Sequence, residues 1–371
     1  MSSRPPTSRA VESELDRFDP ALPLERAWTP PASWYVRDDV AALEAGTVFA
    51  HNWVGVEVTT HLQEPGDYVA FDLPQRPGLL VRGSDGVLRG LHNVCRHHAA
   101  ALVEGHGRCA ELRCPYHGWV YGLDGALRRA PRSGGIADFR REDFALRPLA
   151  TARFGPLAFV GDQVTGPTPE RELADWLPRL RLDGLRWVAR REYRVPCNWK
   201  VYVDNYLDGG YHVPVLHEAL GEQLDCEGYR TELLHRGAVQ SCAASADASV
   251  AGGGVDFAER IGGGADYLWI YPNTMLNRYG PVLDTNIVIP LSTAETLVVF
   301  DWFLDDECAG DEGFVARCLA ASERVQREDE QICASVQRGL ASLAYDRGRY
   351  APKLEGAMLH FHRLLAADLH R

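Results

Sequence analysis

What this sequence does without narrows the field before any motif is read. Among its 371 residues no apolar run approaches the roughly eighteen that a membrane-crossing helix requires, so no span is expected. The opening Met1-Ser2-Ser3-Arg4-Pro5-Pro6 lacks the apolar core of a secretory leader and is too short for a transit peptide, so a cytoplasmic location is expected. There is no surplus of positive charge. With 39 Lys and Arg against 51 Asp and Glu, a formal net charge of −12, nucleic acid is excluded as a general partner. Cysteine forms no even framework: nine, dispersed through a long chain, suit a reducing compartment where thiols bind metal or simply pack. The glycine runs Gly252–Gly254 and Gly262–Gly264 follow no strand, are expected in a poorly structured loop, and do not match the G-x-G-x-x-G of a dinucleotide site. No internal repeat is present.

What is present is concentrated between Cys95 and His117. Cys95-Arg96-His97 is followed, sixteen residues on, by Cys114-Pro115-Tyr116-His117-Gly118-Trp119. Two Cys and two His in two short loops make a four-ligand metal set. Zinc fingers usually group like with like, whereas here each loop offers one thiolate and one imidazole. A [2Fe–2S] centre with two Cys on one iron and two His on the other suits that order, with a structural zinc as the alternative. The other seven cysteines (109, 197, 226, 242, 308, 318 and 333) are expected to pack. Around this stretch, Arg89–Arg147 carries ten Arg against six acids, a basic surface suited to an acidic electron carrier, with an ordinary solvated surface as the alternative.

Short β-like runs such as Asp67–Leu73 and Leu79–Arg82, split by turn signals, predict a small all-β domain over 50–160. Residues 1–49 are read as an N-terminal segment packing on a second domain over 161–371. Its strands, among them Tyr267–Tyr271, Thr285–Ile289 and Thr296–Phe303, with a long helix over Phe314–Tyr345, predict an α+β fold, an antiparallel sheet flanked by helices.

The second domain holds a weaker constellation. His212 and His217, preceded by Asp204 and Asp208, suggest two arms of a two-histidine, one-carboxylate iron site with open positions for O2. The third arm is read from helical phase. An apolar stripe through Val315, Leu319, Val325, Ile332, Val336 and Leu340 takes in Asp329, and a carboxylate on such a face must be paired or bind metal. Glu328 and Glu330 fall off it and are expected in water. The alternative pairs Asp329 with Arg324 or Arg327.

C-x-H followed by C-P-Y-H-G-W resembles the cluster motif of Rieske non-haem iron oxygenase alpha subunits. Asn198-Trp-Lys, Asn205-Tyr-Leu-Asp208, Tyr211-His212-Val-Pro-x-x-His217 and Glu328-Asp329 resemble the mononuclear iron domain of the same family. Tyr271-Pro-Asn273, Asn277-Arg-Tyr-Gly-Pro281, Asp284-Thr-Asn286 and Ser335-Val-Gln-Arg-Gly-Leu are similar to its choline monooxygenase branch. The resemblance implies a Rieske domain plus a helix-grip catalytic domain. It puts Cys95 and Cys114 on one cluster iron, His97 and His117 on the other, and Fe(II) on His212, His217 and Asp329. It sets Asn205 beside that iron and calls for a carboxylate linking it to a neighbouring subunit's cluster. Many members place that carboxylate three residues before the first His; here Gly209 stands there, leaving Asp208 or Asp204 for the role. A homotrimer, a ferredoxin or flavin reductase drawing on NAD(P)H, O2 and a small substrate follow, with choline hydroxylation leading. N-demethylation of a betaine- or carnitine-like amine and aromatic-ring hydroxylation are alternatives within the family; a pure electron-transfer Rieske protein and a zinc-stabilised binding module are alternatives outside it. For a trimethylammonium group, Tyr206, Trp269, Tyr271, Tyr279 and Trp302 are the candidate aromatic contacts.

Overall fold

A computed structural model describes residues 9–245 and 260–371, so the Gly252–Gly254 run lies outside the described residues. The chain divides into two compact units. Phe49–Ala174 form one; the segment up to Val48 joins Asp175–Arg371 in the other. Residues 161–174, assigned by sequence to the second domain, therefore cluster with the first unit.

The inserted unit is all-β in its regular core. Strands β1 (Val54–Val58), β2 (Asp67–Leu73), β3 (Arg76–Arg82), β4 (Leu88–His92), β5 (His106–Arg108), β9 (Pro148–Phe154) and β10 (Leu157–Gly161) form an antiparallel sheet ordered β1-β10-β9-β4-β3-β2-β5. A three-stranded sheet of β6 (Leu112–Arg113), β7 (Val120–Tyr121) and β8 (Leu127–Arg129) completes it. The Cys95 loop leaves β4, and the Cys114 loop joins β6 to β7. Both thiols sink into a shared core with Leu79, Leu91, Leu112, Trp119 and Tyr121, which anchors the two loops to one floor.

The second unit is α+β. A seven-stranded antiparallel sheet runs from β11 (Leu185–Val195), through β17 (Thr296–Asp305), β16 (Val282–Pro290), β15 (Thr274–Tyr279), β14 (Gly264–Ile270) and β13 (Gly237–Ala243), to β12 (Arg230–Leu234). Gly264 thus opens a strand rather than lying in a loop. Three helices pack on the face that carries Asp284, Asn286, Phe300 and Trp302: α1 (Trp199–Tyr206), α2 (Glu312–Leu340) and α3 (Gly356–Leu369). Asn198 caps α1, its side chain accepting from the Lys200 amide at 3.1 Å. The N-terminal segment is built into this unit. The fully buried Lys200 ammonium meets Glu44 at 2.6 Å, and Glu44 also accepts from the Trp199 indole.

On α2 the buried face differs from the apolar stripe read in the sequence. It passes through Phe314, Cys318, Ser322, Gln326, Cys333 and Gln337, while Ile332 and Val336 are exposed. The polar members of this face bond to other elements of the unit: Ser322 accepts from the Trp302 indole, Gln326 Oε1 from Tyr202, and Gln337 from the Asn198 amide. Hydropathy misses such a face because hydrogen bonds, not apolarity, make its burial tolerable. Asp329 lies three residues after Gln326 and four before Cys333, on the face that does turn inward.

Candidate metal centres and cavity

The two loops of the first unit close in the same way. The Cys95 amide donates to the Ala100 carbonyl and the Ala99 amide returns to the Cys95 carbonyl; Cys114, Trp119 and Gly118 repeat the pattern. The residue four past each Cys takes a positive φ, 60° at Ala99 and 72° at Gly118. This turns the chain back just after each histidine and closes the loop. The His97 and His117 rings lie edge to face at 4.6 Å, and Trp119 stacks on His97 at 4.7 Å. Tyr121 fixes the first loop, its hydroxyl 3.3 Å from Cys95 Sγ and accepting from the Arg96 amide at 3.0 Å.

Two observations fit these residues to a two-iron cluster. His97 Nδ1 is buried without a hydrogen-bond partner among the described residues, as a metal-binding nitrogen would be. Burial, with the neighbouring His98 and His117, also lowers the His97 pKa and favours the neutral ring that binds metal. Moreover, among the described residues one group alone brings three such donors within 4.8 Å of one another, and it lies in the other unit. The Cys and His donors do not converge as one zinc ion demands. The basic stretch is less free than its composition suggests: Arg89, Arg108, Arg128, Arg129 and Arg140 each pair with a nearby carboxylate.

The converging group in the second unit is His212, His217 and Asp329. Asp329 Oδ1 lies 3.1 Å from His217 Nε2 and 4.0 Å from His212 Nε2, and accepts from Asn205 Nδ2 at 2.7 Å. Each ring is held from behind by a carboxylate, Asp208 on His212 Nδ1 and Glu328 on His217 Nδ1, both at 2.6 Å. Such carboxylates fix tautomer and ring orientation and aim Nε2 at a metal. Burial alone would lower the His217 pKa, yet Asp329 and Glu328 raise it. The site is made for positive charge, and it fits a divalent ion. Glu328, expected in water, is instead the partner of His217.

Asp208 also accepts from the Tyr211 and His212 amides. Gly209 cannot replace it, because its φ is +71° and a Cβ there would meet the Leu354 carbonyl oxygen at 2.3 Å. Asp204 points elsewhere, accepting from Tyr35 at 2.7 Å and lying 2.9 Å from His362 Nε2.

These three residues border a cavity of about 110 Å³ walled by Tyr206, Tyr229, Tyr267, Tyr279 and Phe300. Of the aromatic candidates, Tyr206 and Tyr279 line it. Trp269 and Tyr271 pack on Phe361 of α3, and Trp302 stacks on Phe300 while reaching Ser322. Tyr229 and Tyr267 escaped the sequence reading. Tyr267 and Trp269 share a strand and, by alternation, a face; a shift of two residues, roughly 7 Å, decides which one meets the cavity.

Comparison with known proteins finds a family match in each unit. Residues 52–140 match the Rieske [2Fe-2S] domain, and residues 182–370 the catalytic domain of the ring hydroxylating alpha subunit. A chloroplastic choline monooxygenase of Arabidopsis thaliana is 43% identical, over 97% of this chain and 87% of that protein. The carnitine monooxygenase oxygenase subunit of Escherichia coli K12 is 29% identical, over 92% and 94%. A solved quaternary ammonium Rieske monooxygenase, described for carnitine oxidation and inter-subunit electron transfer, superposes with a TM-score of 0.81 at 25% identity, covering 94% of this chain and 96% of that one.

Proposed function

The chain belongs to the Rieske non-haem iron monooxygenases, as an alpha subunit of the ring-hydroxylating type, and from that premise we propose that it hydroxylates the carbinol carbon of choline. Choline, O2, two electrons and two protons would give betaine aldehyde hydrate and water. The family carries a Rieske cluster and a mononuclear iron, and is fed by a ferredoxin or reductase. In this reading Cys95 and Cys114 hold one cluster iron, His97 and His117 the other, and His212, His217 and Asp329 the single iron. When bound, these centres supply one-electron transfer and the activation of O2 against a C–H bond.

The residues of the chain do the rest. Asp208 and Glu328 keep the Nδ1 protons of His212 and His217 and so present both Nε2 atoms inward. Asn205 holds Asp329 Oδ1 in place. The tyrosine walls exclude water and offer ring faces to a trimethylammonium group, which forms no conventional hydrogen bond. One observation carries the reading: the three converging donors border the same small cavity as five tyrosines, Tyr202, Tyr206, Tyr229, Tyr267 and Tyr279. Oxygen uptake with a surrogate reductase and a panel of quaternary amines tests it. Choline-dependent uptake with aldehyde hydrate as product is expected; formaldehyde release in its place would overturn choline hydroxylation in favour of demethylation.

The working assembly is a head-to-tail homotrimer, in which one subunit's cluster serves the next subunit's iron. Its support is a cleft whose floor holds Asp204 and Asp208 and whose rim leaves Ile332, Val336 and Tyr345 uncovered, an apolar border suited to a second copy of this chain.

A further inference from the structure

The cavity already contains a cation. Arg260 lies in its wall with the guanidinium carbon 4.3 Å from the centre of the Tyr279 ring. The same group donates to the Tyr279 hydroxyl and, at 2.9 Å, to Asp284 Oδ2. Asp284 accepts further from Tyr279 and from Asn277 Nδ2. Both charged side chains are all but sealed, 6% and 2% exposed. Apart from His212, His217 and Asp329, they are the only ionisable side chains besides tyrosines among the described residues lining this cavity.

A quaternary ammonium stripped of water needs this combination, an aromatic face and a counter-charge beside it. Tyr279 cannot present one face to two cations at once. Arg260 is also held incompletely, since its buried Nε has no partner among the described residues.

We propose that Asp284 is the counter-ion of the substrate's ammonium group and that Arg260 is its place-holder, leaving Tyr279 and Asp284 when the substrate enters. The inference rests on the quaternary-ammonium reading above. Its physical basis is exchange: one cation replaces another, so the buried carboxylate is never stranded without a partner, a costly state. An uncharged molecule of the same shape gains nothing from the exchange. It must either meet Arg260 still seated or leave Asp284 bare. Selection for charge thus follows from competition inside the pocket.

The test is calorimetric titration of the iron-loaded protein under nitrogen, with choline and with its uncharged isostere bearing tert-butyl in place of trimethylammonium. Wild type should prefer choline by about thirtyfold. Arg260→Gln should raise that ratio by tightening choline, because the competitor is gone, and Asp284→Asn should lower it. Opposite movement is the signature. Ratios that move together, or that stay within about twofold of wild type in both variants, overturn the proposal. If a variant does not fold, a crystal structure of wild type with choline decides. An ammonium over Tyr279 with Arg260 withdrawn supports exchange; an intact 2.9 Å contact with the ammonium elsewhere overturns it. Wild type that neither binds nor oxidises choline would refute the substrate reading itself, a separate outcome.

Discussion

Asp208 and Glu328 touch the proposed iron site only through the far nitrogens of His212 and His217. Asp208→Asn and Glu328→Gln are each expected to lower iron affinity or turnover about 10- to 100-fold, with the visible spectrum of the cluster unchanged. Iron analysis beside rate measurement checks this. Asp329→Ala should go further and reduce iron from about three per chain to about two, the cluster pair alone. Gly209→Asp would place a carboxylate at the position common in the family. Given the +71° φ and the Leu354 carbonyl at 2.3 Å, it should lower the melting temperature by roughly 3–10 °C. At this scale the sequence is readable wherever the candidate donors are local. Cys95 with His97, and Cys114 with His117, stand close along the chain, so spacing alone draws attention to them. Glu328 was not readable, because its partner lies 111 residues away and helical phase alone turned it toward solvent.

Helix α2 carries the third iron-binding candidate on a face that is half polar, and there the pattern in the sequence misleads in detail while keeping its main result. The stripe through Ile332 and Val336 is solvent-facing, yet Asp329 turns inward, in phase with Gln326 and Cys333. Each buried glutamine or serine on that face is matched to a hydroxyl, an indole or an amide on another element, information that no window along one helix contains. The strands gave the face of each aromatic but not its station along the sheet, which is why Tyr267 was missed and Trp269 chosen. Where α1 meets the N-terminal segment, burial pulls the Lys200 pKa down while Glu44 pulls it up. Glu44→Ala would leave that ammonium without its counter-charge inside the unit. A loss of about 3–5 kcal/mol is expected, visible as a lower calorimetric transition, and Glu44→Gln should recover only the contact to the Trp199 indole.

For the whole molecule, the trimer reading makes a prediction that no single-subunit scheme shares. A Cys95→Ser chain, without a working cluster, and an Asp329→Ala chain, without the single iron, should each be inactive. Mixed, dissociated and reassembled at equal amounts, they should recover about a quarter of wild-type activity, because in a head-to-tail ring one good cluster must precede one good iron. Light scattering should give three times the 41.1 kDa chain mass. The α+β class and the all-β insert could be read from turn signals and strand runs, but not the boundary at 174, since Pro167 and Pro169 mark a break in local pattern rather than in packing. That the unit bearing His212 and Asp329 is made of two stretches, up to Val48 and from Asp175, has a consequence for biosynthesis. Translation completes residues 49–174 while the host unit still awaits all seven strands of its sheet. The stretch with Cys95 and Cys114 is therefore first to be whole on the ribosome, and it can close its own sheet before any strand of the host sheet has been made.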